Sequence, residues 1–252
     1  MKNIKPLKPK LPKHGCITIV GLGGVGSIVA RYASVFLASL PDNSSLLLVD
    51  GDKFEPSNAS RMLFGRHGNK ARVIRNELLP RFRGSRLWIA AVAKYVTKET
   101  ISGIIWPENI IILCVDNHAT RKLVNDHCAK LKNIVLISGG NDGVGKDSSG
   151  TVRQGTYGNV QIYIRKKGKD VTPSLSAYHP EIANPKDKMP GELNCVELVV
   201  SKPQILFSNL AVASGILNTL LLYLSGQLPY SELGFDIAQG KAWPAVPIKE
   251  AK

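Results

Sequence analysis

The sequence predicts an α/β fold: a mostly parallel sheet flanked by helices, with an antiparallel C-terminal extension and a long crossover loop. Three observations predict it. Apolar runs of strand length alternate with helix-length apolar-periodic segments from Ile17 to Ile137. The first two strands bracket a glycine-rich turn. Beyond Gly150 the pattern changes to period-two alternation (Val152, Gly155, Val160, Ile162, Ile164), as expected of antiparallel strands.

The first unit is Ile17 to Asp50. Ile17-Thr18-Ile19-Val20 reads as a strand, and Gly21-Leu22-Gly23-Gly24-Val25-Gly26 follows with Gly21, Gly23 and Gly26 in G-x-G-x-x-G spacing. The first glycine permits the tight turn, the second lets backbone approach a phosphate, and the third lets helix pack close on strand. Ser27 to Leu40 is a helix apolar on much of its circumference, aiming its positive end at an anion. Leu46-Leu47-Leu48-Val49 is a buried strand closed by Asp50, 24 residues after Gly26, where a Rossmann-like βαβ unit places a ribose-binding carboxylate.

Gly51 to Arg61 is turn-rich and gathers Asp52, Glu55, Asn58 and Arg61 beyond a strand's carboxyl end, the edge at which open α/β sheets bind ligands. Gly65 to Lys70 is a basic loop, and Ala71 to Leu79 a helix stopped by Pro80. Leu87–Val92 is a third strand. Ile110 to Val115 is a fourth, ending on Asp116, with Asp116 or Asn117 capping a helix that runs to Leu131. Ile134 to Ile137 is a fifth, running into Gly139-Gly140-Asn141-Asp142-Gly143. Two strands thus deliver carboxylates to one sheet edge. Asp50 suits a ribose; Asp116 suits Mg²⁺, which takes one or two carboxylates together with phosphate oxygens.

The remainder reads as a basic leader over residues 1–15 and one domain over 16–252, with a crossover loop at 165–202, a helix at 203–225 and a Pro-rich tail. The helix is interrupted by Ser208, Asn209, Ser214, Asn218 and Thr219, which suits a buried helix and not a membrane span. The leader holds five lysines in thirteen residues without an apolar segment, unlike a signal peptide.

At 252 residues, 44% hydrophobic and near-zero mean hydropathy, the chain reads as globular. Cys16, Cys114, Cys128 and Cys195 are widely spaced with no C-x-x-C, so no disulfide framework and no zinc are expected, and a reducing cytoplasm is. The net charge is +14, and from Arg61 to Lys98 ten basic residues face the single acid Glu77. That leaves room for weak electrostatic nucleic-acid binding, although a generally basic solvated face is the plainer reading.

Five motifs now stand in order: Gly21-Leu22-Gly23-Gly24-Val25-Gly26-Ser27, Asp50-Gly51-Asp52, Glu55-x-x-Asn58-x-x-Arg61, Gly68-x-Lys70, and Val115-Asp116-Asn117-x-x-x-Arg121. Together they resemble the ThiF/MoeB/HesA-type adenylyltransferases, prokaryotic relatives of ubiquitin-activating enzymes. The resemblance spans Cys16 to Asn141 by motif, and more loosely Gln204 to Asn209. It implies ATP and Mg²⁺ as cofactors, with Gly21, Gly23, Gly24 and Gly26 cradling the nucleotide, Asp50 on its ribose and Asp52 among the cofactor-binding residues. It further implies Asn58, Arg61 and Lys70 on the phosphates and Asp116 on the metal. The implied reaction is adenylation of the C-terminal carboxylate of a ubiquitin-like or sulfur-carrier protein by a homodimer. Departures are a short Arg61–Lys70 stretch and a lysine-rich leader where many relatives carry an arginine-bearing segment.

Cys195 stands about where thioester-forming relatives carry their cysteine, which makes it a candidate nucleophile; its apolar and acidic neighbours equally suit an inert thiol. Plain structural roles are open to two further residues, Arg61 as an ion-pair partner of Asp52 and Asp116 as a helix cap. Three functions compete with the implied one: an RNA-acting relative that adenylates a modified tRNA, an NAD(P) oxidoreductase and a non-catalytic member.

Overall fold

In a computed structural model, residues 5–12, 15–146, 150–190 and 204–247 are described. In chain order the elements are β1 (Cys16–Val20), α1 (Gly24–Ala38), β2 (Ser44–Val49), β3 (Lys53–Phe54), a 3-10 turn (Pro56–Asn58), β4 (Gly68–Asn69), α2 (Lys70–Leu78), β5 (Leu87–Val92), α3 (Ile101–Ile104), β6 (Ile110–Leu113) and α4 (His118–Cys128). There follow β7 (Ile134–Asn141), β8 (Val144–Lys146), β9 (Val152–Gln154), β10 (Tyr157–Lys166), β11 (Lys169–Asp170), α5 (Pro180–Ala183), α6 (Leu206–Leu224), β12 (Tyr230–Asp236) and β13 (Lys241–Pro247).

The main sheet runs β13-β12-β10-β7-β6-β1-β2-β5, with β11 paired to β10. From β5 to β7 every pairing is parallel, and from β7 through β10 and β12 to β13 every pairing is antiparallel. The α/β expectation with an antiparallel extension is met. The central strands are apolar throughout because helices cover both faces. Ile110 and Ile112 on β6 join α1, α2 and α6 in one core, whereas Ile111 and Leu113 turn to α3, α4 and α5 in the other.

Several boundaries differ from the sequence reading. The first helix starts at Gly24, inside the glycine motif, because glycine's missing Cβ lets the loop itself form the first turn. The fourth strand ends at Leu113, so Asp116 lies in the connection beyond it. Gly139, Gly140 and Asn141 belong to β7. A Cβ on Gly139 would stand 2.6 Å from Ile216 Cδ1, and one on Gly140 2.5 Å from Arg121 Nη2. These glycines make room on two faces of a strand and do not turn the chain. The Pro-rich tail is not a tail, since Tyr230–Asp236 and Lys241–Pro247 form the antiparallel edge of the sheet. Of the leader, Lys10 N donates to Leu224 O at 2.9 Å and Pro6 O accepts from Gln227 Nε2 at 3.2 Å, tying it to the end of α6.

α6 is long and apolar enough to cross a membrane by length and composition. It lies instead against α1, β7 and β10 with Ser208, Asn209 and Thr219 buried. Its small residues let it lie close: a Cβ on Gly215 would come within 3.0 Å of Val160 Cγ2.

The described part of the crossover loop is pinned. Leu175 N donates to Asn125 Oδ1 at 2.9 Å, and Asp187 accepts from His118 N and Ala119 N at 2.7 and 2.9 Å, capping α4. His179 bridges Glu181 (2.8 Å) and Glu232 on β12 (3.0 Å), and Asn159 Nδ2 donates to the same Glu232 at 2.9 Å.

Candidate functional site

The glycine loop is held from four sides. Gly21 adopts φ +84, a left-handed conformation that disfavours any Cβ, and a Cβ there would also meet the Cys114 carbonyl at 2.9 Å. A Cβ on Gly26 would stand 1.8 Å from Gly21 O, so the third glycine is required by the loop's own closure. Gly24 faces Asn209 on α6. At Gly23 the packing is looser: a Cβ there would make only an ordinary van der Waals contact, with Met62 Cε at 3.8 Å. Backbone can therefore be approached by a ligand at Gly23, at the N-terminus of the fifteen-residue helix α1.

Asp50 secures the loop. Its Oδ2 accepts from Leu22 N at 2.6 Å and its Oδ1 from Asp52 N at 2.7 Å. Burial pushes its carboxyl up, against the opposing pull of Lys70 and the two N–H donors. Asp52 meets Lys70 Nζ at 3.1 Å through Oδ2 and the Tyr95 hydroxyl through Oδ1. Lys70, and not Arg61, is thus the ion-pair partner of Asp52. Asn69 Nδ2 donates to the carbonyls of Asp50 (2.8 Å) and Asp52 (3.0 Å), while its Oδ1 caps α2 through Arg72 N. That bond explains how Lys70, the first residue of α2, is aimed back at the turn.

Asn58 Oδ1 accepts from Glu55 N at 3.2 Å, and Asn58 O accepts from Arg61 N and Met62 N. Asn58 thus shapes the turn that carries Arg61, leaving its own Nδ2 without a partner among the described residues. Arg61 Nε is buried and, among the described residues, has no hydrogen-bond partner. An unpaired buried guanidinium N–H costs about 1–3 kcal/mol, which an arriving anion would recover. Met62, its neighbour, lies over Gly23, so this donor sits on a turn covering the loop.

On the other side, Gly21 abuts Cys114 and Val115, and Asp116 follows as an exposed carboxylate. Asn117 is the helix cap, accepting from Thr120 N at 2.8 Å, so Asp116 is not. Arg121 bolts this connection to β7, donating to Val115 O at 2.7 Å, Gly139 O at 3.0 Å and the Ser138 hydroxyl. Among the described residues no three His, Cys, Asp or Glu gather to hold an ion. A magnesium ion here would rest on Asp116 and ligand oxygens, a donor set that suits it.

Sequence reasoning brought Asp50, Asp52 and Lys70 to one place, and the structure joins them directly. It missed Tyr95, Asn69 and Asn209. An Asn just before a helix is a cap signal and was legible; nothing local marks the other two. Asn209, wholly buried, accepts from Asn141 Nδ2 at 3.0 Å and leaves its own Nδ2, beside Gly24, without a partner among the described residues. Burial pushes the Cys114 and Cys128 thiols up to about 12, which removes both as thiolates near neutral pH. Cys195 lies outside the described residues.

With this geometry in hand, the family comparison is decisive: the ThiF family matches residues 9–251. The chain belongs to the ThiF family. Among curated relatives, the adenylyltransferase and sulfurtransferase MOCS3 of Drosophila persimilis is 33% identical over 131 residues, 50% of this chain and 27% of that protein. The ThiF-family chain therefore spans about a quarter of that relative's length. Among solved structures, E. coli MccB with ATP superposes at TM-score 0.65 and 16% identity, covering 94% of this chain and 64% of that one. The microcin C7 biosynthetic enzyme MccB in complex with N-formylated MccA gives 0.66 and 16%, with 93% and 65% covered. At that identity the likeness is one of fold.

Proposed function

We propose that this ThiF-family protein is an ATP-dependent adenylyltransferase that activates the carboxylate of a ubiquitin-like protein, sulfur carrier or peptide as an acyl-adenylate. One observation carries the reading: a glycine loop at a helix N-terminus, overlain by a turn whose Arg61 keeps a buried N–H without a partner among the described residues. A related protein named for adenylyl transfer and a structural neighbour bound to ATP support it.

In this reading the acceptor carboxylate attacks the α-phosphorus. The new P–O bond forms as the bond to pyrophosphate breaks, and pyrophosphate carries away the electron pair. Two anions must meet, so positive charge and alignment are what the protein contributes. Arg61 offers a planar fork and Lys70 a point charge to the phosphates. Gly21, Gly23, Gly24 and Gly26 present the loop, Asp50 takes the ribose with Asp52 beside it in the nucleotide site, and Asn58 joins Arg61 and Lys70 on the phosphates. Magnesium on Asp116 would supply further charge neutralisation. Where a thioester follows, the Cys195 thiolate attacks the acyl carbonyl, forming C–S and releasing AMP.

The protein acts in this proposal as a homodimer in the cytoplasm. The test is exchange of labelled pyrophosphate into ATP, run with candidate acceptor proteins encoded nearby. Acceptor-dependent exchange is expected; binding of NAD with none of Mg-ATP would refute the reading. An RNA acceptor is a second reading, favoured by the arginines Arg66, Arg72, Arg75 and Arg83 that line the grooves between α2 and β5.

A further inference from the structure

Tyr95 was marked by no motif, yet it closes the turn on which both carboxylates of the site stand. It lies three residues beyond β5, whose last residue Val92 accepts from Asp50 N at 3.2 Å. Its own carbonyl accepts from Thr100 Oγ1 at 2.8 Å, which fixes the backbone there. The ring lies flat on Gly51: a Cβ on that glycine would stand 2.5 Å from Cγ and 2.6 Å from both Cδ atoms. From this seat the hydroxyl donates to Asp52 Oδ1, while Asp52 Oδ2 receives Lys70 Nζ at 3.1 Å.

The arrangement poses a problem for an anion-binding lysine. Lys70 is buried to 8% exposure and already neutralised by Asp52. To engage a phosphate it must leave Asp52, and the abandoned carboxylate would then lack its counter-charge. We propose that Tyr95 is a positioning residue that releases Lys70: its hydroxyl holds the Asp52 carboxylate in place and takes over its stabilisation when Lys70 turns to the nucleotide. A hydrogen bond to a carboxylate strengthens as a competing cation departs, since the anion's charge is then shared with one donor fewer. The same bond therefore weighs more in the loaded site than in the empty one. Burial, together with Asp52 and Asp50 nearby, pushes the Tyr95 hydroxyl far above its ordinary range, so it stays a donor throughout the working pH range. Gly51 is the only residue that admits the ring at this distance, so Gly51 and Tyr95 act as one device.

The inference rests on the adenylation reading, and its test separates the two. Mg-ATP binding is measured by calorimetry for the wild-type chain, Tyr95→Phe, Asp52→Asn and the double variant; circular dichroism checks that each folds. Phenylalanine keeps the ring on Gly51 and removes only the hydroxyl. Tyr95→Phe is expected to weaken Mg-ATP binding roughly three- to tenfold, the worth of one hydrogen bond, and to raise the KM for ATP with little change in kcat. In the Asp52→Asn background the same substitution is expected to be silent, because no carboxylate remains to be held. An equal loss in both backgrounds would show Tyr95 acting through packing alone and overturn the inference. So would unchanged binding in Tyr95→Phe. Wild-type protein that binds no Mg-ATP would instead overturn the adenylation reading, and the inference with it.

Discussion

The Leu22 N–H donates to Asp50 Oδ2 at 2.6 Å across 28 residues, so the acid that closes β2 also bonds the glycine loop into shape. In the proposed function the side chain that would meet the ribose is thus also the one that shapes the loop. Asp50→Ala should lose about 1–3 kcal/mol of stability, the cost of two stranded N–H groups, and abolish nucleotide binding. Urea unfolding and calorimetry together check it; full stability would mean the loop does not depend on Asp50.

Arg61 behaves in the opposite way. Among the described residues its Nε has no partner to lose, so Arg61→Leu should leave the unfolding midpoint unchanged or slightly raised. Turnover should fall by about 10²–10³, the usual loss for one transition-state donor. Thermal melts and pyrophosphate exchange on the same sample decide between a ligand role and a structural one.

The latch at His179 carries a pH dependence. Its bond to Glu232 raises the imidazole's pKa, with Glu181 adding to the effect, and this outweighs burial. For a raised histidine the stabilisation is fully present below the unfolded value of about 6.5 and is lost as pH rises through the folded one. Glu232 is held low: burial alone would raise it, and the His179 and Asn159 bonds prevail. Its contribution is present above the unfolded carboxylate value of about 4.3 and fades as pH falls through the folded value. Stability should therefore peak in weakly acidic solution, and His179→Gln should flatten the decline on the alkaline side in urea titrations.

Dimerisation is expected through the outer faces of α1 and α6. Tyr32 on α1 and Phe207 and Leu210 on α6 are 61%, 69% and 41% exposed, as is Leu63 beside α1 at 81%, and exposed large apolar side chains suit an interface. Arg31, which donates to Leu63 O at 2.7 Å, keeps that leucine against α1. Light scattering at tens of micromolar should give twice the chain mass, and Phe207→Glu should halve it. A wild-type monomer would contradict the expectation.

Binding to nucleic acid, if the α2–β5 arginines support it, should be sequence-independent and fall steeply with salt. The one acid of that segment, Glu77, is already held by Arg31 at 2.7 Å and by Gly65 N. Filter binding of a tRNA that persists at about 0.5 M salt would favour the RNA-acting reading instead.

The central parallel strands, the glycine loop and Asp50 were legible in the sequence because each rests on a local rule: apolar runs, a spacing of glycines, an acid at a strand end. A local rule also put Asp52 at the strand-end edge, whereas Lys70 came to the site through the family resemblance, since a basic loop by itself does not say where its lysine points. Tertiary structure alone decided what those residues do to one another. Asp52 pairs with Lys70 and Tyr95, not with Arg61, because the β3–β4 pairing and the Asn69 cap aim α2 back at the turn. Glycines 139 and 140 extend a strand because Ile216 and Arg121, 77 and 19 positions away from them, need the space. The tail became two strands because β10 presented an edge to pair with. Local pattern reports which groups a residue can offer; which partner accepts them is set by contacts between segments far apart in the chain, and those exist only once it has folded.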